Sequence, residues 1–281
     1  MSGTLYLVAT PIGNLGDFSP RALETLNAVD FIAAEDTRVS LKLMNHFSLK
    51  KPLVSYHEHN HVSAGQSILN RLLAGETCAL VTDAGTPAIS DPGEDLVRLC
   101  AENGVTVISI PGCCAAVNAL AVSGLPTGRF TFEGFLTMNK KSRREHLESL
   151  KREERTMIFH EAPHKLCTTL DDMAAVFGTD RRIALCRELT KLHEETRRCT
   201  IGEAIEHFRA TPPKGEFVLV VEGAVRQATE EVTLEQGVAM VQTLLENGMR
   251  LKDAAKEVAE HTGLSKNELY HAAISAQSDD T

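Results

Sequence analysis

The stretch Leu80-Val81-Thr82-Asp83-Ala84-Gly85-Thr86-Pro87-Ala88-Ile89-Ser90-Asp91-Pro92-Gly93 constrains the fold more than any other. It begins inside an apolar run, Cys78 to Val81, and breaks at once into small, turn-forming and acidic residues. Helical spacing resumes after Pro92 and continues to about Asn103, with Leu96, Val97 and Leu99 as its apolar face. A buried strand that feeds a Gly/Pro loop and then a helix is half of a βαβ unit. The carboxyl ends of such strands are where open α/β sheets hold ligands. Glycine lets a ligand approach the backbone closely, and proline fixes the shape of the loop. A plain strand-to-helix connection needs only about 2–6 residues, so this one reads as a binding loop.

The same arrangement recurs on either side. Thr4 to Ala9 reads as a buried strand ending in Thr10-Pro11-Ile12-Gly13-Asn14-Leu15-Gly16-Asp17. Ser19-Pro20 then offers an N-cap with proline at the first helical position, and Ala22, Leu23, Leu26 and Val29 form the inward face. Strand Phe31 to Ala34 ends in Glu35-Asp36-Thr37-Arg38, which fits a polar site, with Asp36 as a helix cap the alternative. Strand Leu53 to Tyr56 precedes His57, His59 and His61; no partner ligands cluster near them in sequence, so no metal is expected. Strand Val105 to Ile110 ends in Pro111-Gly112-Cys113-Cys114, opening a helix through Val117, Leu120 and Val122. Strands alternating with helices predict a mainly parallel sheet in a first domain over residues 1–122. There is no G-x-G-x-x-G after the first strand and no G-x-x-x-x-G-K-[ST], which argues against a standard dinucleotide or P-loop site.

A second α/β domain is expected over residues 123–225, after the turn formers Ser123 to Gly128. Its strands are Phe130–Leu136, Thr156–Phe159, Arg182–Cys186, Glu195–Ile201 and Phe217–Val221. Acids and bases gather where these apolar runs end, notably Arg187-Glu188-Leu189-Thr190-Lys191, which suggests a ligand cleft between two domains. The formal charge is −9, so any polyanion must be met by a local basic patch. Lys140, Lys141, Arg143 and Arg144 supply one candidate, a solvated helix face being the alternative. After the polar linker Ala224 to Thr233, apolar spacing predicts three short helices over 234–281, the second and third around a Gly-containing turn as in a helix-turn-helix. Lys266, Asn267 and Tyr270 would point outward for nucleic acid, although a packing or dimerisation element fits equally. No run reaches the roughly 18 apolar residues of a membrane span, and the first residues lack the layout of a signal peptide. Seven scattered cysteines without C-x-x-C point to reduced thiols in a cytoplasmic protein.

Together these segments resemble the tetrapyrrole methylase superfamily, and within it the branch that methylates a ribose 2′-hydroxyl of a decoding-centre cytidine in bacterial 16S ribosomal RNA. The segments that carry the resemblance are Leu7–Leu15, Ala33–Arg38, Val81–Pro87, Pro111-Gly112, Glu133-Gly134-Phe135, Arg187–Lys191 and Lys214-Gly215-Glu216, with the tail Ser265–Tyr270. Cys113-Cys114 departs from the family's usual pair but keeps small residues. The resemblance implies S-adenosylmethionine held between two α/β domains by Pro11, Gly13, Asp83, Ala84, Gly85, Thr86, Pro111, Gly112, Cys113, Cys114, Leu166 and Phe217; plain helix core is the competing reading of Leu166. It further implies a homodimer acting on 16S ribosomal RNA in the small subunit. Glu188 is then the candidate base and Lys191 the cation for the ribose alkoxide. Glu35, Asp36 and Arg38 would position substrate, the alternative being a structural ion-pair network. Methylation of a tetrapyrrole carbon, or RNA binding without catalysis, are the readings in competition.

Overall fold

A computed structural model describes residues 2–225 and 232–278. The first half runs β1 (Thr4–Val8), α1 (Pro20–Ala28), β2 (Phe31–Ala34), α2 (Thr37–His46), β3 (Leu53–Ser55), α3 (His61–Leu73), β4 (Cys78–Val81), α4 (Glu94–Glu102) and β5 (Thr106–Ile110). Its strands form a five-stranded sheet in the order β3-β2-β4-β1-β5, and every pair in it is parallel. Successive strand residues face opposite sides, and here both sides are covered. Ile32, Ala34, Ala79 and Val81 pack with Ala22, Leu26 and Met44 of α1 and α2. Phe31, Ala33, Cys78 and Leu80 pack with Ile68, Leu69, Leu72 and Leu96 of α3 and α4. Double coverage is why these strands read as unbroken apolar runs.

Start signals act as the sequence suggests. The Ser19 hydroxyl accepts from the Ala22 N–H at 3.1 Å, with Pro20 in the first turn of α1. From β2 the chain leaves toward the β3 edge, whereas from β4 it leaves toward β5 at the other edge. The two connections diverge, so a crevice opens between the carboxyl ends of β2 and β4.

The second half runs α5 (Ala115–Ser123), β6 (Phe130–Phe135), α6 (Lys140–Ser149), β7 (Thr156–Glu161), α7 (Pro163–Phe177), β8 (Arg182–Arg187), β9 (Glu195–Thr200), α8 (Ile201–Ala210) and β10 (Phe217–Val221). The sheet order is β6-β7-β10-β8-β9, parallel at β6–β7 and antiparallel elsewhere. One face packs on Leu147, Leu166, Leu170, Met173 and Ile201 from α6, α7 and α8. The other packs on Ala116, Ala119 and Leu120 of α5. This corrects the expected division at 122/123: α5 follows the first sheet in sequence but serves as a layer of the second. The two sheets belong to one compact unit, Met1–Ala224.

The other unit, Val225–Thr281, contains α9 (Leu234–Glu246), α10 (Leu251–Thr262) and α11 (Lys266–Ser278). Part of the expected linker, residues 226–231, lies outside the described residues, as do residues 279–281 of the expected tail. Val241, Ala254, Ala255, Val258, Leu269 and Ala273 form the core of this unit. A Cβ on Gly237 would sit 2.5 Å from Leu264 Cδ1 and 2.7 Å from Leu269 Cδ2, so any larger residue there would push both leucine side chains aside. Tyr270, expected to point outward, is half-buried against this core. Asn267 is exposed and Lys266 half-buried.

Candidate active site

The three loops at the carboxyl edge of the first sheet are tied to one another. Thr10 and Gly85 exchange backbone hydrogen bonds, N–H to O at 2.9 and 3.1 Å. The Thr10 hydroxyl donates to the Thr82 carbonyl at 3.1 Å, and the Thr86 hydroxyl donates to the Cys113 carbonyl at 2.9 Å. Gly85 has φ +90°, a conformation that suits glycine. A Cβ on Gly112 would lie 2.8 Å from Ala9 Cβ, so the Pro111–Cys114 loop can lie against β1 only because residue 112 is glycine. Pro11, Gly13, Asp83, Ala84, Gly85, Thr86, Pro111, Gly112, Cys113 and Cys114 thus share one sheet edge. Asp83, Ala84, Pro111 and Gly112 are exposed there. Small side chains, accessible backbone groups and glycine-dependent packing form a cradle that fits a polar, folded cofactor. Leu166 and Phe217 are corrected: both side chains are buried in the core of the second half.

Acids collect where β2 and β4 diverge. Burial, followed by the charges of Asp91 and Asp83, pushes the Glu35 carboxyl above its usual range. Burial likewise raises Asp83 and Asp91. Asp36 caps α2, accepting from the Arg38 N–H at 2.8 Å, and its two oxygens take the Arg38 guanidinium at 3.0 and 2.6 Å. Those bonds to Arg38 hold Asp36 well below the ordinary carboxylate range. The capping alternative for Asp36 is therefore the one realised. The Asp36 N–H also donates to Asp83 Oδ1 at 3.3 Å, joining the β2 and β4 loops.

The second sheet meets this edge through Lys191. A Cβ on Gly13 would sit 2.4 Å from Lys191 Cγ and 3.0 Å from the Thr190 hydroxyl, so Gly13 allows close approach between the two halves. Lys191 Nζ donates to Glu188 Oε1 and to Glu216 Oε2, both at 2.9 Å. Burial works against the Lys191 charge, but the two carboxylates outweigh it and raise its pKa. Glu188 and Thr190 both have positive φ, 52° and 66°. Gly215 permits this turn, since a Cβ there would lie 2.5 Å from Glu188 Cγ. Glu188 Oε1 also accepts from the Glu216 N–H at 3.0 Å; that bond, then Lys191, lowers its pKa. Glu188, the expected base, is thus the carboxylate that holds Lys191 beside the Glu216 N–H.

Two residues at this edge carried no role in the sequence reading. Glu216 supplies the second carboxylate to Lys191, and its signal was the Lys214-Gly215-Glu216 motif. His160, opposite Val218 on β10, has a buried Nε2 with no hydrogen-bond partner among the described residues. The Phe132 and Phe135 rings stand edge-on to it, each at 5.3 Å. Burial lowers its pKa, with the charge of Glu216 opposing. No periodicity marks such a residue.

The basic segment divides. Lys140, Lys141 and Arg144 are exposed on α6, but Arg143 is buried. Its Nε and Nη2 each lie 2.8 Å from Asp172 Oδ2, and its Nη1 donates to the carbonyls of Thr137 and Met138. Arg143 therefore belongs to the fold, which corrects its place among the nucleic-acid contacts. The histidines after β3 build a turn: the His57 N–H donates to Asn60 Oδ1 at 2.8 Å, and His61 Nδ1 lies 2.5 Å from the Glu58 carbonyl.

The chain thus joins a parallel sheet with a glycine-built loop edge to a mixed sheet that meets it through charged strand ends. The solved uroporphyrin-III-C-methyltransferase of Thermus thermophilus shares this fold, with a TM-score of 0.54 at 19% identity over 78% of this chain and 94% of that one. Residues 4–205 match the model of the tetrapyrrole (corrin/porphyrin) methylases, and residues 231–277 match that of the RsmI C-terminal HTH domain. Proteins named ribosomal RNA small subunit methyltransferase I are similar along almost the whole chain. The one from a Synechocystis species is 47% identical over 99% of both chains. The one from Halalkalibacterium halodurans is 49% identical over 96% of this chain and 94% of its own. The chain belongs to the tetrapyrrole methylase family and, within it, to the group these relatives form.

Proposed function

We propose that this protein transfers a methyl group from S-adenosylmethionine to the ribose 2′-hydroxyl of a cytidine in the decoding centre of 16S ribosomal RNA. It would act as a cytoplasmic homodimer on the assembled small subunit. What carries the reading is the extent of the likeness. The tetrapyrrole methylase model ends at residue 205, whereas the relatives named for ribosomal RNA continue through the helical tail. That favours RNA over a tetrapyrrole, and the intact loop cradle favours catalysis over binding alone.

The residues fit such a cofactor: backbone groups of Asp83–Thr86 and Pro111–Cys114 would hold its polar edges. The cofactor supplies an electrophilic methyl group on a positively charged sulfur. Glu35, Asp83 and Asp91, whose charge burial disfavours, gain from a cation beside them. A ribose hydroxyl is a weak nucleophile: its oxygen would bond the methyl as the bond from sulfur to that methyl breaks and its proton passes to water, so charge stabilisation where the alkoxide develops lowers the barrier. Lys191 is the cation for that task, aimed by Glu188 and Glu216. Lys140, Lys141, Arg144, Lys266 and Asn267 are the RNA contacts.

The test is transfer of labelled methyl to unmodified small subunits, with porphyrinoid precursors in parallel. Label recovered as 2′-O-methylcytidine is the expected result; label in the porphyrinoid, or in neither, refutes the reading. Lys191→Ala is expected to keep cofactor and RNA affinity while kcat falls by about 100-fold, the scale for losing one group that stabilises developing charge.

A further inference from the structure

A cleft of about 340 Å³ lies along α2, beside the point where β2 and β4 diverge. Leu15, Val39 and Leu43 give it an apolar wall, Ser40 a polar patch, and Lys42 and His46 line it as well. Leu15 and Val39 are exposed although both are large and apolar. Arg38, Lys42 and His46 follow one another at four-residue steps, which puts them on one face of α2. Of these three, Arg38 alone has an ion-pair partner among the described residues, Asp36. Lys42 and His46 are both exposed.

The cleft adjoins the cofactor cradle and shares Pro11, Gly13 and Asp83 with it, while Gly85, Thr86, Gly112 and Cys113 do not line it. Ligand pockets run from about 300 to 1,000 Å³, so this one suits a single small aromatic moiety rather than a macrocycle. An apolar wall beside basic side chains is the chemistry that recognises an unstacked base with its phosphates. Asp83, which also lines the cleft, disfavours an anion beside it and leaves the phosphates to Lys42 and His46. On a chain of net charge −9, such a grouping does not arise from general basicity.

We propose that this cleft receives one unstacked nucleotide of the RNA flanking the methylated residue, its base against Leu15, Val39 and Leu43 and its phosphates on Lys42 and His46. The proposal rests on the RNA reading above and names the place on the first half of the chain that holds the strand.

The full-length double variant Lys42→Ala/His46→Ala decides it, assayed for methyl transfer to small subunits over a range of salt. Cofactor affinity is followed by calorimetry, and 4-thiouridine-substituted small-subunit RNA is photocrosslinked to the protein. The KM for subunits should rise about 5- to 10-fold and the log–log salt slope should fall by about one. Cofactor affinity should stay within about twofold, and crosslinks should map to α2 in the unaltered protein. Unchanged KM and slope overturn the proposal, and so does a parallel loss of cofactor affinity, which would give the cleft to the cofactor. Crosslinks at α2 without methyl transfer by the unaltered protein would refute the RNA-methylation reading and leave the cleft standing. Methyl transfer without crosslinks at α2 would do the reverse.

Discussion

Arg143→Ala separates a structural cation from RNA contacts within one short basic segment. Arg143 is buried, and Asp172, which it holds, has 5% of its side chain exposed. Removing one partner of a buried ion pair costs about 3–5 kcal/mol, because the other charge stays buried without it. Asp172 keeps Arg144, whose Nε lies 2.9 Å away but whose side chain is half exposed, so the lower end, about 3 kcal/mol, is expected. In a unit of this size about 1 kcal/mol shifts Tm by about 2–4 °C, so the drop should be about 6–12 °C. The Asp172 pKa is lowered: burial opposes ionisation, but Arg144 and Arg143 outweigh it. Stability from this pair is therefore present above the unfolded carboxyl pKa of about 4 and is lost as pH falls through the lower folded value. The Tm gap between Arg143→Ala and the unaltered protein should narrow below about pH 4. Thermal unfolding at pH 7 and pH 3.5, with RNA affinity alongside, makes the check. Lys140→Ala/Lys141→Ala, both exposed, should lower RNA affinity with Tm nearly unchanged. An Arg143→Ala protein that melts within about 2 °C of the original and loses RNA affinity like the lysine variant would refute the reasoning.

Other outcomes follow from the same geometry. Gly13→Val should leave Tm nearly unchanged while kcat falls by about 10-fold or more, since a Cβ there displaces Lys191 and misplacement near the reacting atoms costs rate; kcat near the original level would remove the role given to that contact. Asp91→Asn should raise Tm at pH 7, because burial raises the folded pKa of Asp91 above its unfolded value. A group shifted that way destabilises as pH rises through the folded pKa, so the gain should vanish near pH 4; a gain that persists there would point to another cause. A chain ending at Ala224 should fold and bind cofactor, since the two units have separate cores, but should bind RNA more weakly; equal RNA affinity would remove the tail from the interface.

Much of the architecture was legible because burial on both faces writes itself into the chain. Phe31–Ala34, Cys78–Val81 and Phe217–Val221 are strands at the residues the apolar runs mark, and Ser19-Pro20 starts α1 as a cap does. The loop set was legible for a related reason: runs of Gly, Pro and small residues are costly unless backbone must approach something closely. Charge was less legible. A lone Arg in a basic run carries no mark of its partner, and Asp172 is 29 positions from Arg143. Glu188 had the residue type of a base, but whether it can accept a proton depends on the Glu216 N–H and on Lys191.

The chain by itself therefore determined the strands, most helices, the two-sheet plan and the glycine-built edge, because each rests on local periodicity or on backbone conformations that few residues adopt. Tertiary structure alone decided which sheet α5 would cover, that Gly13 would seat Lys191, that Leu166 and Phe217 would be core, and that Lys42 and His46 would border a cleft. Those outcomes depend on which distant segment arrives beside each side chain. Burial, hydrogen bonding and the resulting shift in proton affinity come into being only when that neighbour is in place.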